Sequence, residues 1–438
     1  MNWYKYPVLL LSLRALVPAY GQNLLGKEEA VNLALENNYG IRVAGNNVRI
    51  AENNTSIYNT GYLPTVTATV GPNFDIGGSH LTFNTGDQLV VNTAASWGAN
   101  ASIGVNYTLL NKARSYNVES LQQRLNLSEL EARKAVELNV LQLLTNYYDA
   151  TRLRQTLGLQ EQTLEVSRRR LQRAQYRYDY GQGTRLDILN AEVDVQRDSI
   201  NLLNTHQQLA NAKRNLNVVI GRDVNTAFEV DTSVVYTAGL SLETLLQRAK
   251  DNNVDVLISN KNIDLSHLDL QFINAGKKPI IGASASYAYN YQDNPSSSFF
   301  ARQRNGGVSV GLNLTWNIFD GGSIHTRSEN TRVTIENQRV LKQQLKQELA
   351  RDVANAWESY QNALFVLHAE EHNLSTNQLN FERTEEQYNL GQVTSVEFRQ
   401  AQLNLLTAAT NYNNAKYSAK VLELQLLQLS GDLLRAQY

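Results

Sequence analysis

The chain has no cysteine, only six prolines and, beyond its first residues, no long apolar run. Without cysteine there is no disulfide framework, so 438 residues must be held by packing alone. The same absence removes a thiol for N-terminal lipid attachment, so any membrane anchorage has to come from the fold. No later segment reaches the roughly 18–20 consecutive apolar residues of a spanning helix, and that leaves strands as the way across a bilayer. Proline is confined to positions 7, 18, 64, 72, 279 and 295. Because proline inside a helix costs about 3 kcal/mol, its absence from 73–278 and 296–438 leaves long helices unbroken. The formal charge of −1 gives no electrostatic footprint for nucleic acid.

What is present begins with Lys5, an apolar run from Pro7 to Leu13 and the small residues Ala19-Tyr20-Gly21. This layout is that of a signal peptide over residues 1–21, interrupted by Arg14. Its removal would take Lys5 and Arg14 and move the formal charge from −1 to −3.

The remainder reads twice. Asn37-Asn38 and Gly61…Pro64 recur as Asn252-Asn253 and Gly276…Pro279, and Gly181-Gln182 and Gly221 recur as Gly391-Gln392 and Gly431. A repeat this long indicates a duplicated half-molecule. The halves are 22–230 and 231–438. The first is expected to hold a helix, a β-hairpin over about 63–110 and long helices over about 111–180 and 185–220. The second is expected to hold a helix, a hairpin over about 279–319 and helices over about 323–390 and 395–430.

The strands alternate strictly. From Trp97 to Tyr107 every odd position is apolar, and from Val308 to Ile318 every even one is. Their partners start at Pro64 and Pro279, where Val66, Ala68 and Val70, and Ile281, Ala283, Ala285 and Tyr287, share a face. Each run is near the 9–11 residues of a tilted membrane strand, with Tyr and Trp near its ends. Residues 76–96 and 293–305, rich in Gly, Asn, Ser and Gln, are expected as loops. Four strands cannot close a barrel, and an open edge in hydrocarbon is costly. Three copies would give twelve strands.

Helices of this length would reach roughly 100 Å, too long for a globule, and Leu138, Leu141, Thr145 and Tyr148 form a narrow stripe. The expected fold is therefore a mixed α+β membrane protein. A long antiparallel coiled-coil α-barrel continues a trimeric 12-stranded β-barrel. Between the paired helices, Gly181 and Gly391 are placed to end a helix, and Thr184 with Asp187, and Thr394 with Glu397, to start one. Arg168, Arg169, Arg170, Arg173 and Arg177 load one tip, and Glu382, Arg383, Glu385 and Glu386 the other. Solvated faces explain them, or opposite charges that hold the end shut. His368 and His372 lack the Glu of a zinc-protease signature and a third ligand. No cofactor site and no catalytic constellation is legible.

These residues resemble the TolC-like outer-membrane efflux protein family. The likeness rests on the doubled helix–hairpin–helix plan, the strand before Phe319-Asp320-Gly321-Gly322 and the paired Tyr-x-x-Gly-x-x-Thr-x-x-acid tips. It implies a trimer in the Gram-negative outer membrane, lipid around its barrel, and a helical tunnel docked to a periplasmic adaptor and an inner-membrane transporter. It implies adaptor contacts at Gly181, Gln182, Gly183 and Thr184, and at Gly391, Gln392, Val393 and Thr394. By position, the family's gate falls on Tyr388, Glu397, Gln400, Asp187 and Asn190. Gln400 lacks the acid of the second ring, and Val393 stands where the family's gate arginine would be. The expected function is the passive exit duct of a tripartite efflux or type I secretion system. A diffusion porin would lack the rods, and a coiled-coil spacer or adhesin would lack the hairpins.

Overall fold

The structure is a computed structural model and describes residues 24–295, 298 and 300–436. The expected signal peptide, residues 1–21, lies outside the described residues. The chain opens with β1 (Leu24–Leu25), α1 (Lys27–Asn37) and α2 (Tyr39–Asn54), followed by β2 (Thr65–Thr82), β3 (Gln88–Leu110), α3 (Lys112–Asp179) and α4 (Arg185–Ile220). The second half runs β4 (Glu229–Val230), α5 (Leu242–Asn252), α6 (Val254–Ala275), β5 (Ile280–Asp293), β6 (Arg302–Thr315), α7 (Ser323–Asn389) and α8 (Ser395–Ser430). The 68 residues of α3 extend about 100 Å without a break, so Gly158 is accommodated within it.

The four long strands form one antiparallel sheet in the order β2-β3-β5-β6, leaving β2 and β6 as edges. Register keeps the faces pure. Val66 lies beside Val105, then Ala285 and Val310, and Ala68 beside Ile103, Tyr287 and Val308. On the other face Thr67 lies beside Gly104, Ser286 and Ser309, and Gly71 beside Asn100, Asn290 and Asn305. Among the described residues nothing covers the apolar face: Val308, Val310, Leu312 and Leu314 are 62–79% exposed. Pro72, which cannot donate to a ladder, sits on the edge strand β2.

The first hairpin corrects the expectation of a loop over residues 76–96. β2 runs on to Thr82 and β3 starts at Gln88, with a turn only between them. A bulge between Gly77 and Ser79 absorbs the register shift, and Gly78 fits there because a Cβ would sit 2.6 Å from the Asn92 carbonyl oxygen.

The main core lies midway along the helices, where Val140, Leu143, Leu144, Tyr147 and Tyr148 of α3 meet α1, α4, β4 and α8. The buried face of α3 is thus wider than the narrow stripe read from sequence, and Leu138 lies off it, 47% exposed. A second cluster joins α5 to α7 and α8 through Leu245, Val353, Tyr360 and Leu426. The segment entering the second half is bound to α8. The Lys420 ammonium donates to the Val235 carbonyl at 2.7 Å and pairs with Glu423, which accepts from the Thr237 N–H and hydroxyl.

The recurring Asn and Gly positions meet in space. Gly221 and Gly431 end α4 and α8 with φ of 82° and 76°, packed against the backbone of Asn37 and Asn252. Asn38 caps α2 and donates to the Val219 carbonyl at 2.7 Å, and Asn253 caps α6 and donates to the Leu429 carbonyl at 3.0 Å.

Candidate functional site: helix tips and membrane sheet

Each tip is built by local chemistry. Gly181 takes a φ of 74°, and the Gln182 N–H reaches back to the Arg177 carbonyl at 2.7 Å, satisfying an orphan acceptor of α3. Gly183 presses on Arg177, where a Cβ would lie 3.1 Å from the arginine's own Cβ. The second tip repeats this with Gly391 at 78° and Gln392 N–H to the Gln387 carbonyl at 2.8 Å. Thr184 and Thr394 then open α4 and α8 with full capping boxes. Bonds from the Thr184 N–H and hydroxyl hold the Asp187 carboxyl below its ordinary pKa, and Thr394 does the same for Glu397. Gln182, Gln392 and both threonines remain exposed, and Val393 is half-buried.

The remaining gate candidates divide. Asn190 and Gln400 are exposed, with Gln400 bonded to Asn404 on its own helix. Tyr388 is buried, stacked on Phe398 at 4.6 Å, and Phe398 also meets Phe381. Arg173 reaches across from α3 to this corner. Its guanidinium donates to the Asn389 side chain at 2.6 Å and to the Tyr388 and Asn389 carbonyls at 3.1 and 3.0 Å, and lies 4.7 Å from the Tyr388 ring.

Among the described residues of one chain, neither Arg173 nor Arg177 pairs with an acid of α7. Arg173 binds the carbonyl end of α7, where the helix dipole and unsatisfied acceptors attract a cation. Arg177 donates to Gln182 in its own turn. Glu386 pairs with Arg383 on the same helix. Arg170 is buried, contrary to a solvated face.

Sequence reasoning missed a buried ionic cluster just behind the tips. Arg399 of α8 makes two bonds to Asp198 of α4, at 2.6 and 2.8 Å, and one to Ser167 of α3 at 3.0 Å. Ser167 donates to Asp198 at 2.6 Å, and Gln402 links Arg399 to the Thr163 carbonyl. Asp194 joins the cluster by pairing with Arg170, Arg197 and, at 3.5 Å, Arg399. Stripping one partner from such a buried pair costs about 3–5 kcal/mol. An aromatic stack contributes about 0.5–1.5 kcal/mol beyond the burial of its rings. The signal was present in outline: Asp198 falls within the buried Ile188, Ala191, Thr205, Leu209 stripe of α4, a charge in an apolar register.

His368 and His372 are exposed, and among the described residues no group of three or more His, Asp or Glu could hold a metal. No described helix is long and apolar enough to cross a membrane. The exposed apolar face of the sheet is the surface suited to lipid, with aromatics toward its ends: Trp97 packs on Tyr291 at 5.3 Å, and Trp316 donates to the Lys277 carbonyl.

Comparison with known proteins agrees with this geometry. Residues 30–222 and 245–432 match the outer membrane efflux protein family. The chain is 20% identical over 340 residues to the outer membrane protein TolC of Vibrio cholerae, covering 76% of this chain and 77% of that protein. It is also 20% identical over 401 residues to the outer membrane efflux protein BepC of Brucella suis, covering 91% and 84%. The fold is shared with the Campylobacter jejuni CmeC outer membrane channel (TM-score 0.73, 14% identity, 93% and 86% covered). It is also shared with VceC of Vibrio cholerae (0.69, 14%, 92% and 96%). With most of its length matched and a lipid-suited sheet set on long helical rods, the chain belongs to the outer membrane efflux protein family and is an outer-membrane efflux channel.

Proposed function

We propose that three copies close into a twelve-stranded barrel continued by a tunnel of twelve helices. The assembly would act as the passive exit duct of a tripartite pump. The observation that carries this reading is the sheet: one face apolar in register across four strands and exposed, the other face Thr, Ser, Asn and Gly, and two unpaired edges. Lipid takes the apolar face, water the polar one, and β6 of one copy pairs with β2 of the next. The helices carry matching free sides. Leu186, Leu189, Val193, Ile200 and Leu203 line an exposed stripe of α4, and Val333, Val340 and Leu379 lie exposed on α7.

In this assembly the halves 22–230 and 231–438 are duplicated units. The corners Gly181, Gln182, Gly183, Thr184 and Gly391, Gln392, Val393, Thr394 present six similar points to a periplasmic adaptor, which couples the duct to an inner-membrane transporter. Tyr388 held by Arg173 is the closed latch of the entrance. Asp187, Asn190, Glu397 and Gln400 line the rim, and Arg177 stiffens its own turn. The channel performs passage and no catalysis.

Light scattering on detergent-purified protein, unboiled gels and planar-bilayer conductance test the reading. A trimer that dissociates only on heating and conducts supports it. A chain that stays monomeric in buffer without detergent overturns it.

A further inference from the structure

We infer that the end of the first hairpin is a self-associating lid: it turns an apolar face toward the barrel axis, where the hairpins of three copies pack on one another across the outer mouth. This rests on the trimeric barrel proposed above. The two hairpins are unequal. Trp97 pairs with Phe74 on one side and with Asp293, the last residue of β5, on the other. Past that level β2 and β3 continue alone over 75–82 and 88–96, an overhang of roughly 25 Å at about 3.3 Å per residue. The long helices leave the opposite end of the sheet, so the overhang stands outside the membrane, beyond the Trp97–Tyr291 pair.

Along this overhang the sheet inverts its polarity. The face that carries Thr69, Gly71 and Asn73 within the membrane runs on through Ser79 and then becomes Leu81 and Phe83. On β3, Asn92 and Thr93 both stand opposite Gly78, and this extra residue passes the same face to Val91 and Leu89, which pair with Ser79 and Leu81. The opposite face, apolar from Val66 to Ile76, ends in His80 and Thr82. Leu81, Phe83 and Leu89 are exposed, and they border a hollow of about 710 Å³ that Asn294 and Pro295 of the second hairpin close on another side. Bonds from the Phe83 N–H to the Asp87 carbonyl and from Thr85 to the Asp87 carboxylate hold the turn.

The position of this face selects its occupant. Strands about 4.8 Å apart and tilted about 40° give a twelve-stranded barrel a backbone radius of roughly 12 Å, so the overhang is long enough to reach the axis. There the three-fold symmetry sets Leu81 and Phe83 of each copy against the same residues of the other two. The patch supplies its own partner, and its burial removes apolar surface from water. Such contacts are non-directional, so cargo arriving from within can part them without breaking a hydrogen bond.

Because the chain has no cysteine, single thiols report on the mouth cleanly. Phe83→Cys is oxidised with copper phenanthroline in intact cells and run on non-reducing gels, beside His80→Cys on the opposite face. Separately, Ser102→Cys on the polar lumen face is labelled from outside with a bulky, membrane-impermeant maleimide, alone and combined with Leu81→Ser or Phe83→Ser. The expected result is a covalent dimer from Phe83→Cys, none from His80→Cys, and Ser102→Cys labelling about tenfold faster for each apolar side chain removed. Trimers in which Phe83→Cys stays unlinked, or in which Leu81→Ser and Phe83→Ser leave the labelling rate unchanged, overturn the lid and leave the duct standing. Fast labelling of Ser102→Cys that an added apolar dye slows would make the patch a cargo contact, and also overturns the lid. Absence of a trimer on unboiled gels of the unsubstituted protein refutes the barrel, and the lid with it.

Discussion

The docking of Gly221 on the Asn37-Asn38 corner provides a stability prediction with its own control. Gly181 and Gly221 both end helices at positive φ, 74° and 82°. Replacing either by alanine forces an L-residue into the left-handed region, at about 1–2 kcal/mol. There the two part. A Cβ at Gly181 meets nothing within 4 Å, whereas one at Gly221 would lie 2.4 Å from the Asn37 carbonyl oxygen and 2.7 Å from its carbon. That backbone has to shift, at about 1–3 kcal/mol for an overpacked site. The shift also endangers the bond from Asn38 to the Val219 carbonyl, which contributes about 0.5–1.5 kcal/mol. The total for Gly221→Ala is about 2.5–6.5 kcal/mol. Membrane oligomers commonly denature irreversibly, so the useful reading is the rate of heat dissociation on unboiled gels. At about 1.4 kcal/mol per tenfold in rate, Gly181→Ala should accelerate dissociation about tenfold and Gly221→Ala at least about sixtyfold. Equal rates for the two variants would refute the claim that the corner, and not the φ angle, makes Gly221 irreplaceable.

Other expectations follow from the same geometry. Val310→Arg places a charge on the exposed apolar face and should cost about 2–4 kcal/mol near the bilayer midplane, blocking membrane assembly. Ser309→Arg, one residue away on the polar face, should assemble and shift the reversal potential in a salt gradient. Asp198→Ala leaves Arg399 buried without its two bonds and should cost about 3–5 kcal/mol, whereas Asp198→Leu with Arg399→Met should recover most of the trimer's thermal resistance. Thr184→Ala should cost about 1 kcal/mol and speed amide exchange in the first turn of α4. The carboxyls of Asp187 and Glu397 have pKa values lowered in the folded chain from 3.8 and 4.5, so their caps are intact above that range. They are lost as pH falls below it, and amide exchange at both tips should rise in acid relative to the intrinsic rate.

Much of the architecture was legible because it is local. Strict alternation from Trp97 to Tyr107 fixes which face of β3 is apolar, and the lack of proline permits α3 its 68 residues. Gly181 with Thr184 and Asp187 needs only ten residues to write a turn, and the turn forms as read. Residues 76–96 misled because their composition is that of a loop. Cross-strand pairing, helped by a bulge that only Gly78 accommodates, carries them as strand nevertheless.

Sequence alone thus determined the order of the long helices and hairpins, the polarity of the sheet and the chemistry of the tips, since each depends on neighbours within a few turns. Tertiary structure alone decided that Arg173 caps α7 instead of pairing with its acids, that Asn38 meets the end of α4, and that Arg399 binds Asp198 across 201 positions. Such pairings depend on which helix faces are packed together and on how far each charge lies from water. Periodicity fixes a residue's side of its own helix; only assembly decides what stands opposite.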